Sequence, residues 1–230
     1  VPLDIPYNIT HIVSDCSNKR VISLIIVTSD NLVLRMNLDL KLNETFKSVH
    51  RTYTDILINK FVRLESSNRF LVASYITMGK KGGDRNIIDK NGICVYDAYK
   101  SKIVSSYDTT KDLSNAITTD ISSASYQFDA NSSEENETKI SFAKQLIFDQ
   151  CFVVSLNYEI AETDKGPKLL LFMLNSESGE IELQTTIDTF YNVNCLYNYE
   201  KNLFVACGDC IQLFKLDYSV QENIFHIVPF

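Results

Sequence analysis

Cys207-Gly-Asp-Cys210 has the C-x-x-C spacing shared by zinc knuckles and redox dithiols. A structural zinc site needs four ligands, usually two such pairs. No second pair stands in the chain, and His226 is the only histidine downstream. A thioredoxin-type dithiol opens a helix. Here β-rich runs flank the motif, so the expected reading is a hairpin turn that carries two cysteines. The other histidines, His11 and His50, are far from His226 in sequence, and no i, i+4 pair exists. There is no G-x-S-x-G elbow. Gly79-Lys-Lys-Gly-Gly83 with Asp84-Arg85 lacks the G-x-x-x-x-G-K-[ST] order of a phosphate cradle, and no helical pattern follows it. It reads as a loop between two strands, running to Asn91, with Lys80, Lys81 and Arg85 as a small basic tip. No catalytic, cofactor-binding or metal-ligating residue is therefore assigned, and no partner-binding residue is identified.

Asn8, Asn43, Asn131 and Asn136 stand in formal glycosylation triplets, which arise by chance in an Asn- and Ser-rich chain. Glu134 to Glu137 reads as a solvated loop face beside Ser132 and Ser133. The 13 Phe and 12 Tyr sit mostly in apolar strand positions, which favours core packing over base-stacking platforms. Net charge is −7, which argues against a dedicated nucleic-acid surface. No run of 18 apolar residues stands in the chain, so no helical membrane span is expected. Six cysteines, three of them inside apolar runs, fit a reducing compartment, and a nuclear location is expected. Val1 is not a methionine and no signal pattern follows it, so the chain is expected to be a piece of a longer protein.

The elements that position these residues are strands. From Gln150 to Leu216 five short apolar or alternating runs, rich in Val, Ile, Phe and Tyr, are separated by turn chemistry. Gly208-Asp209 sits between two of them at hairpin spacing. Upstream, Arg20 to Leu38 reads as two strands around a Ser-Asp-Asn turn. Asp39 to Thr54 is polar and mixed, either continued strand and loop or a short helix. The runs around Ile22, Phe70, Phe152 and Leu203 resemble one another, with a period of about fifty residues once an insertion is removed. That period, with several short strands per unit, is the pattern of a β-propeller blade. The insertion, Lys111 to Lys139, is too polar to offset its ordering entropy and is expected to be disordered, above all from Asp129 onward. A short strand at Asn115 to Ser122 is compatible with its Ala116, Ile117 and Ile121.

The expected fold is all-β, built of β-propeller blades that form part of a larger multi-propeller protein. Residues 1–49 are expected to close a preceding propeller or to be linker strands. Residues 50–230 are expected to be a partial propeller of about three blades with the disordered insertion at 111–139.

One resemblance follows from the order of these runs. The strand at Phe152 to Val154, the Gly and apolar strand at Gly166 to Met173, the charged strand at Glu180 to Gln184, and Leu203 to Ala206 with Ile211 to Phe214 are similar to the third propeller of a triple-propeller family. That family includes the large subunit of the damaged-DNA-binding complex, the largest subunit of the cleavage and polyadenylation specificity factor, and the propeller subunit of the branch-site splicing complex. The branch that serves cullin ligases in replication-damage tolerance resembles this chain most. The resemblance implies a non-enzymatic scaffold or adaptor linking a cullin-type ubiquitin ligase to substrate receptors in DNA damage and replication responses, with proteins as partners and no cofactor. The alternatives are a scaffold of splicing or 3′-end processing, and a secreted propeller-like hydrolase with used glycosylation triplets and disulfides.

Overall fold

The computed structural model describes residues 8–15, 21–29, 32–39, 44–46, 52–53, 57–63, 69–80, 86–100, 102–111, 116–124, 149–158, 166–199, 202–219, 222 and 224–230. These residues form seventeen strands and one 3₁₀ turn, Thr109–Lys111. The fold is all-β, as its short runs of β-branched and aromatic residues dictate. The strands make four antiparallel sheets, each a meander in chain order.

The first sheet holds β1 (Ile9–Asp15), β2 (Val21–Thr28), β3 (Leu32–Asp39) and β4 (Glu44–Phe46), with β5 (Thr52–Tyr53) also on β3. The polar stretch 39–54 thus supplies two short strands and, among its described residues, no helix. The second sheet holds β6 (Leu57–Arg63), β7 (Phe70–Lys80), β8 (Asn86–Asp97) and β9 (Lys102–Asp108). The third holds β10 (Ala116–Ala124), β11 (Asp149–Tyr158), β12 (Lys168–Asn175) and β13 (Ile181–Asp188). The fourth holds β14 (Val193–Tyr199), β15 (Asn202–Cys207), β16 (Cys210–Ser219) and β17 (Ile224–Pro229).

One expectation changes, and one is met. The loop read from Gly79 to Asn91 is largely strand: β7 and β8 pair from Phe70 with Asp97 out to Lys80 with Asn86. A run of Gly, Lys, Asp and Asn with only the adjacent Ile87 and Ile88 apolar hid that hairpin, because such an arm lacks a period-2 signature. Residues 81–85, with Lys81 and Arg85, lie outside the described residues. Within the polar insertion, β10 occupies the place where a short strand was compatible with the sequence. Its Asp129 to Lys139 half, Asn43, Asn131, Asn136 and His50 lie outside the described residues.

Three features recur from sheet to sheet. The repeated runs at Ile22, Phe70, Phe152 and Leu203 fall in β2, β7, β11 and β15, the second strand of each sheet. Every first-to-second strand pair carries a register shift near the start of its first strand, at Ile9/His11, Ile58/Lys60, Thr118/Asp120 and Val193/Cys195. Such bulges twist a strand locally and re-aim its side chains. The third-to-fourth hairpin opens on Asp97, Asn175 and Ser219 in the second, third and fourth sheets. In each, a side-chain oxygen accepts from backbone amides two or three residues on: Tyr99 and Lys100, Glu177 and Ser178, and Glu222. This is the local turn chemistry of Asx and Ser residues.

The chain divides into two compact units between Ser106 and Tyr107, inside β9. In the first unit, Ile25 and Val27 of β2 share a core with Leu71, Ala73, Cys94 and Tyr96. Burial there pushes the Cys94 thiol up to about 12, which leaves it an inert core group. Asp97 is fully buried at the end of β8, and Arg69 Nε and Nη2 donate to its Oδ2 at 3.0 and 2.8 Å. Burial raises the Asp97 carboxyl. The Arg69 hydrogen bond, the amides of Lys100 and Tyr99 and the Arg69 charge outweigh it, so the group titrates below its ordinary range.

Arg69→Ala leaves that carboxylate on the Tyr99 and Lys100 amides and on the exposed Lys100 ammonium 4.0 Å away. The expected loss is about 2 kcal/mol in urea unfolding, below the range for a fully buried pair because Arg69 is partly exposed. The sign of the pH effect follows from the lowered pKa. The contribution of Asp97 is complete above the unfolded-chain value of about 3.9 and is lost as pH falls through the folded one. The stability gap between wild type and Asp97→Asn should therefore shrink on acidification below about pH 4.

In the second unit, the third and fourth sheets pack face to face. Val153 and Leu171 of the third sheet meet Leu196, Val205, Phe214 and Phe225 of the fourth in one core. The other face of β11 and β12 is buried as well: Phe152, Val154, Leu170 and Phe172 have no exposed surface. Burial on both faces is why these strands read as unbroken apolar runs rather than as alternation.

Candidate functional site

A buried polar seam joins the two sheets of the second unit. The β10 bulge turns Asp120 inward, where its Oδ2 accepts from Leu196 N at 2.7 Å and its Oδ1 from Ile121 N at 2.8 Å. Ser155 Oγ accepts from Asp120 N at 2.9 Å. One strand along, the Asn157 carboxamide exchanges two hydrogen bonds with the peptide of Val193, at 2.7 and 2.9 Å, as a neighbouring strand would. Each of these side chains has its polar atoms committed to backbone amides or carbonyls. The seam holds the sheets together.

A cavity of the second unit, among the described residues, lies elsewhere, between the ends of β13, β16 and β17. Its volume is about 440 Å³, and Ile187, Phe190, Leu213, Phe214, Ile227 and Phe230 line it together with Asp188, Gln212 and Pro229. The wall at Phe190 has a traceable local cause. Gly166 presses so close to the Thr189 carbonyl that a Cβ there would stand 2.8 Å from that oxygen. This approach lets Thr189 N and Oγ1 both donate to the Pro167 carbonyl, at 2.7 and 3.1 Å. Thr189 is thereby pinned and buried, and the next residue, Phe190, projects outward with 89% of its surface exposed. Phe230 N donates to Leu213 O at 2.9 Å, and Phe225 N donates to Gln184 Oε1 at 3.3 Å, fixing β17 against β16 and β13. Lys168 Nζ pairs with Asp188 Oδ1, so the one carboxylate lining the cavity is already neutralised.

Of the residues the sequence singled out, Cys207 and Cys210 are brought together. They are Cα partners across the Gly208-Asp209 turn. Gly208 has φ 52°, the left-handed region that a hairpin turn demands and a glycine adopts freely. His226 stands on β17, 2.8 Å from Glu222, and His11 on β1 belongs to the other unit. Asn8 is exposed. Among the described residues no three His, Cys, Asp or Glu side chains form a group that could hold a metal ion, and no helix is long and apolar enough to cross a membrane. Sequence reading missed the cavity. Its lining comes from three strands and a loop, and only the Phe190-Tyr191 pair, aromatic in a turn, hinted at it.

The architecture defines an all-β protein of four antiparallel meander sheets, one of five strands and three of four. Residues 60–230 match the family model described as "Uncharacterised protein YJR039W C-terminal domain", and the chain belongs to that family. No curated protein matches the chain. Among solved structures it is similar to a luciferin-regenerating enzyme, at 11% identity over 97% of this chain and 60% of that one, with a TM-score of 0.40. It is also similar to a protein of Bacteroides fragilis NCTC 9343 named as a candidate 6-phosphogluconolactonase, at 9% identity over 96% of this chain and 53% of that one, with a TM-score of 0.44. The chain spans little more than half the length of either.

These findings correct the functional expectation. The family model is not that of the triple-propeller scaffolds, and both similar structures carry enzyme names. The cullin-ligase adaptor, its ubiquitin-ligase and DNA-repair terms, and the expectation that the chain catalyses nothing are withdrawn on that ground. The physical reason for the misreading is plain. The resemblance rested on the order of short apolar runs, and any series of meanders buried on both faces must produce that order. No residue with a chemical role carried it.

Proposed function

We propose that the second unit binds a small uncharged molecule with an apolar body and one hydrogen-bonding end, seated between Phe190 and Phe230. The cavity carries this reading. Its volume lies in the range of small-molecule sites, which are apolar with few polar groups. Asp188 is satisfied by Lys168, so no net charge is left to favour an ion. Gln212 supplies both a donor and an acceptor for the polar end. An ester or lactone answers this description. Hydrolysis of such a molecule, the secreted-hydrolase alternative of the sequence, is the second reading, and the names of the two similar structures fall beside it. At TM-scores of 0.40 and 0.44 that likeness carries no argument about activity.

We also infer that the four sheets are β-propeller blades. The shared bulge, the shared hairpin cap and the repeated second strand support it. So does the face of the fourth sheet that its own core leaves open, with Tyr197 and Ile211 exposed. A blade buries such a face against a neighbour.

Fluorescence titration with an uncharged naphthalene dye bearing one carbonyl tests the ligand reading. Phe190→Ala should weaken binding about tenfold, the effect of losing most of one aromatic wall. Ile211→Ser, on the open face, should leave it unchanged. Binding abolished by Ile211→Ser and kept in Phe190→Ala would place the dye on the open face and overturn the proposal.

A further inference from the structure

We propose that Cys207 and Cys210 form a reversible intramolecular disulfide when the protein meets a peroxide. The two residues end β15 and begin β16 and are Cα partners in a two-residue hairpin. Partners in an antiparallel ladder stand about 4.5 to 5.5 Å apart at Cα, inside the span a disulfide bridges. Their side chains lie on one face of the sheet, because directly opposed residues always do. The pair is asymmetric. Cys210 is exposed, and Cys207 is buried. Both are free thiols, Cys210 Sγ donating to Cys207 O at 3.2 Å and Cys207 Sγ to Val205 O at 3.8 Å. Accessible sulfur and sheltered sulfur are the two parts a thiol switch needs.

The reaction balances with hydrogen peroxide as oxidant. The Cys210 thiolate attacks one peroxide oxygen. The S–O bond forms, the O–O bond breaks, and the departing hydroxide takes a proton to become water. Cys210 is then a sulfenic acid. The Cys207 thiolate attacks Cys210 Sγ, the S–S bond forms, the S–O bond breaks, and a second water leaves. Two thiols give up two protons and two electrons, and one peroxide becomes two waters. Burial, and then the charge of Cys210, raise the Cys207 thiol above its ordinary value, so the second step should accelerate with rising pH. The ring closed is very short, so the bond constrains the unfolded chain little and remains easy to reduce.

The full chain is treated with hydrogen peroxide, unfolded in the presence of N-ethylmaleimide, digested and weighed. The expected product is the Cys207–Cys210 peptide, lighter by two hydrogens, unalkylated, and restored by dithiothreitol, with Cys94, Cys151 and Cys195 alkylated. In Cys207→Ser, dimedone should instead trap a sulfenic acid at Cys210. A wild-type product oxidised at Cys210 alone, with Cys207 still alkylated, would overturn the proposal. So would a disulfide that forms only when oxidation is carried out in urea, since the fold would then play no part.

Discussion

Phe152→Asp is expected to destroy cooperative folding of the second unit. Phe152 has no exposed surface, and its ring stacks on Phe172 at 5.3 Å between centroids. Phe172 in turn meets Tyr107 in a T-shaped contact at 5.0 Å between centroids. Removing the ring alone costs about 3–5 kcal/mol. A carboxylate in its place would be buried beside aromatic rings, and its desolvation adds several kcal/mol more. The sum rivals the roughly 5–15 kcal/mol that holds a whole domain together. Glu182→Ala, at an exposed position on β13, should change stability by no more than about 0.5 kcal/mol. Urea unfolding followed by circular dichroism separates the two. Should Phe152→Asp prove insoluble, Phe152→Leu keeps the test alive, with a soluble protein expected to lose about 1–3 kcal/mol. A Phe152→Asp protein that melts cooperatively near the wild-type midpoint would contradict the packing.

Asp120→Ala should be nearly as damaging, for a different reason. The carboxylate caps two amides, Ile121 N and Leu196 N, which belong to different sheets. Alanine leaves both donors buried and unpaired, at about 1–3 kcal/mol each. It also removes the one side chain whose two oxygens tie β10 to β14. The expected loss is about 2–5 kcal/mol, with amide-exchange protection at Leu196 falling further than at Val205, whose bonds lie within its own sheet. Asp120→Asn retains an acceptor for one amide and should recover part of the loss. Unchanged protection at Leu196 in Asp120→Ala would show that the two sheets hold together without the seam.

These two residues mark the limits of what the chain discloses. Phe152 was legible, because a strand buried on both faces needs consecutive apolar residues and its neighbours repeat the pattern about fifty residues away. The Gly208-Asp209 turn was legible too, since its spacing and composition are local. Asp120 was not. It sits in a polar insertion where the sequence allowed only a short strand, and its partner Leu196 lies 76 residues on. The same holds for Asn157 and Val193, 36 residues apart. Hydrogen bonds of this span leave no periodicity, and a bulge of one extra residue leaves no composition. The cavity stayed hidden for a related reason. Phe190 faces outward because Gly166 crowds Thr189, a contact between two loops that look ordinary when read separately. Function was the least legible of all, since the resemblance that suggested an adaptor followed apolar order and touched none of these residues.

The ligand reading is tested most directly by titrating the isotope-labelled protein with the uncharged naphthalene dye and following backbone amide resonances. Saturable shifts are expected at Phe190, Gln212, Leu213 and Phe230, with Tyr197, Tyr199 and Ile211 unmoved. Shifts confined to Tyr197, Tyr199 and Ile211, or no saturable shift at the cavity residues, would contradict it.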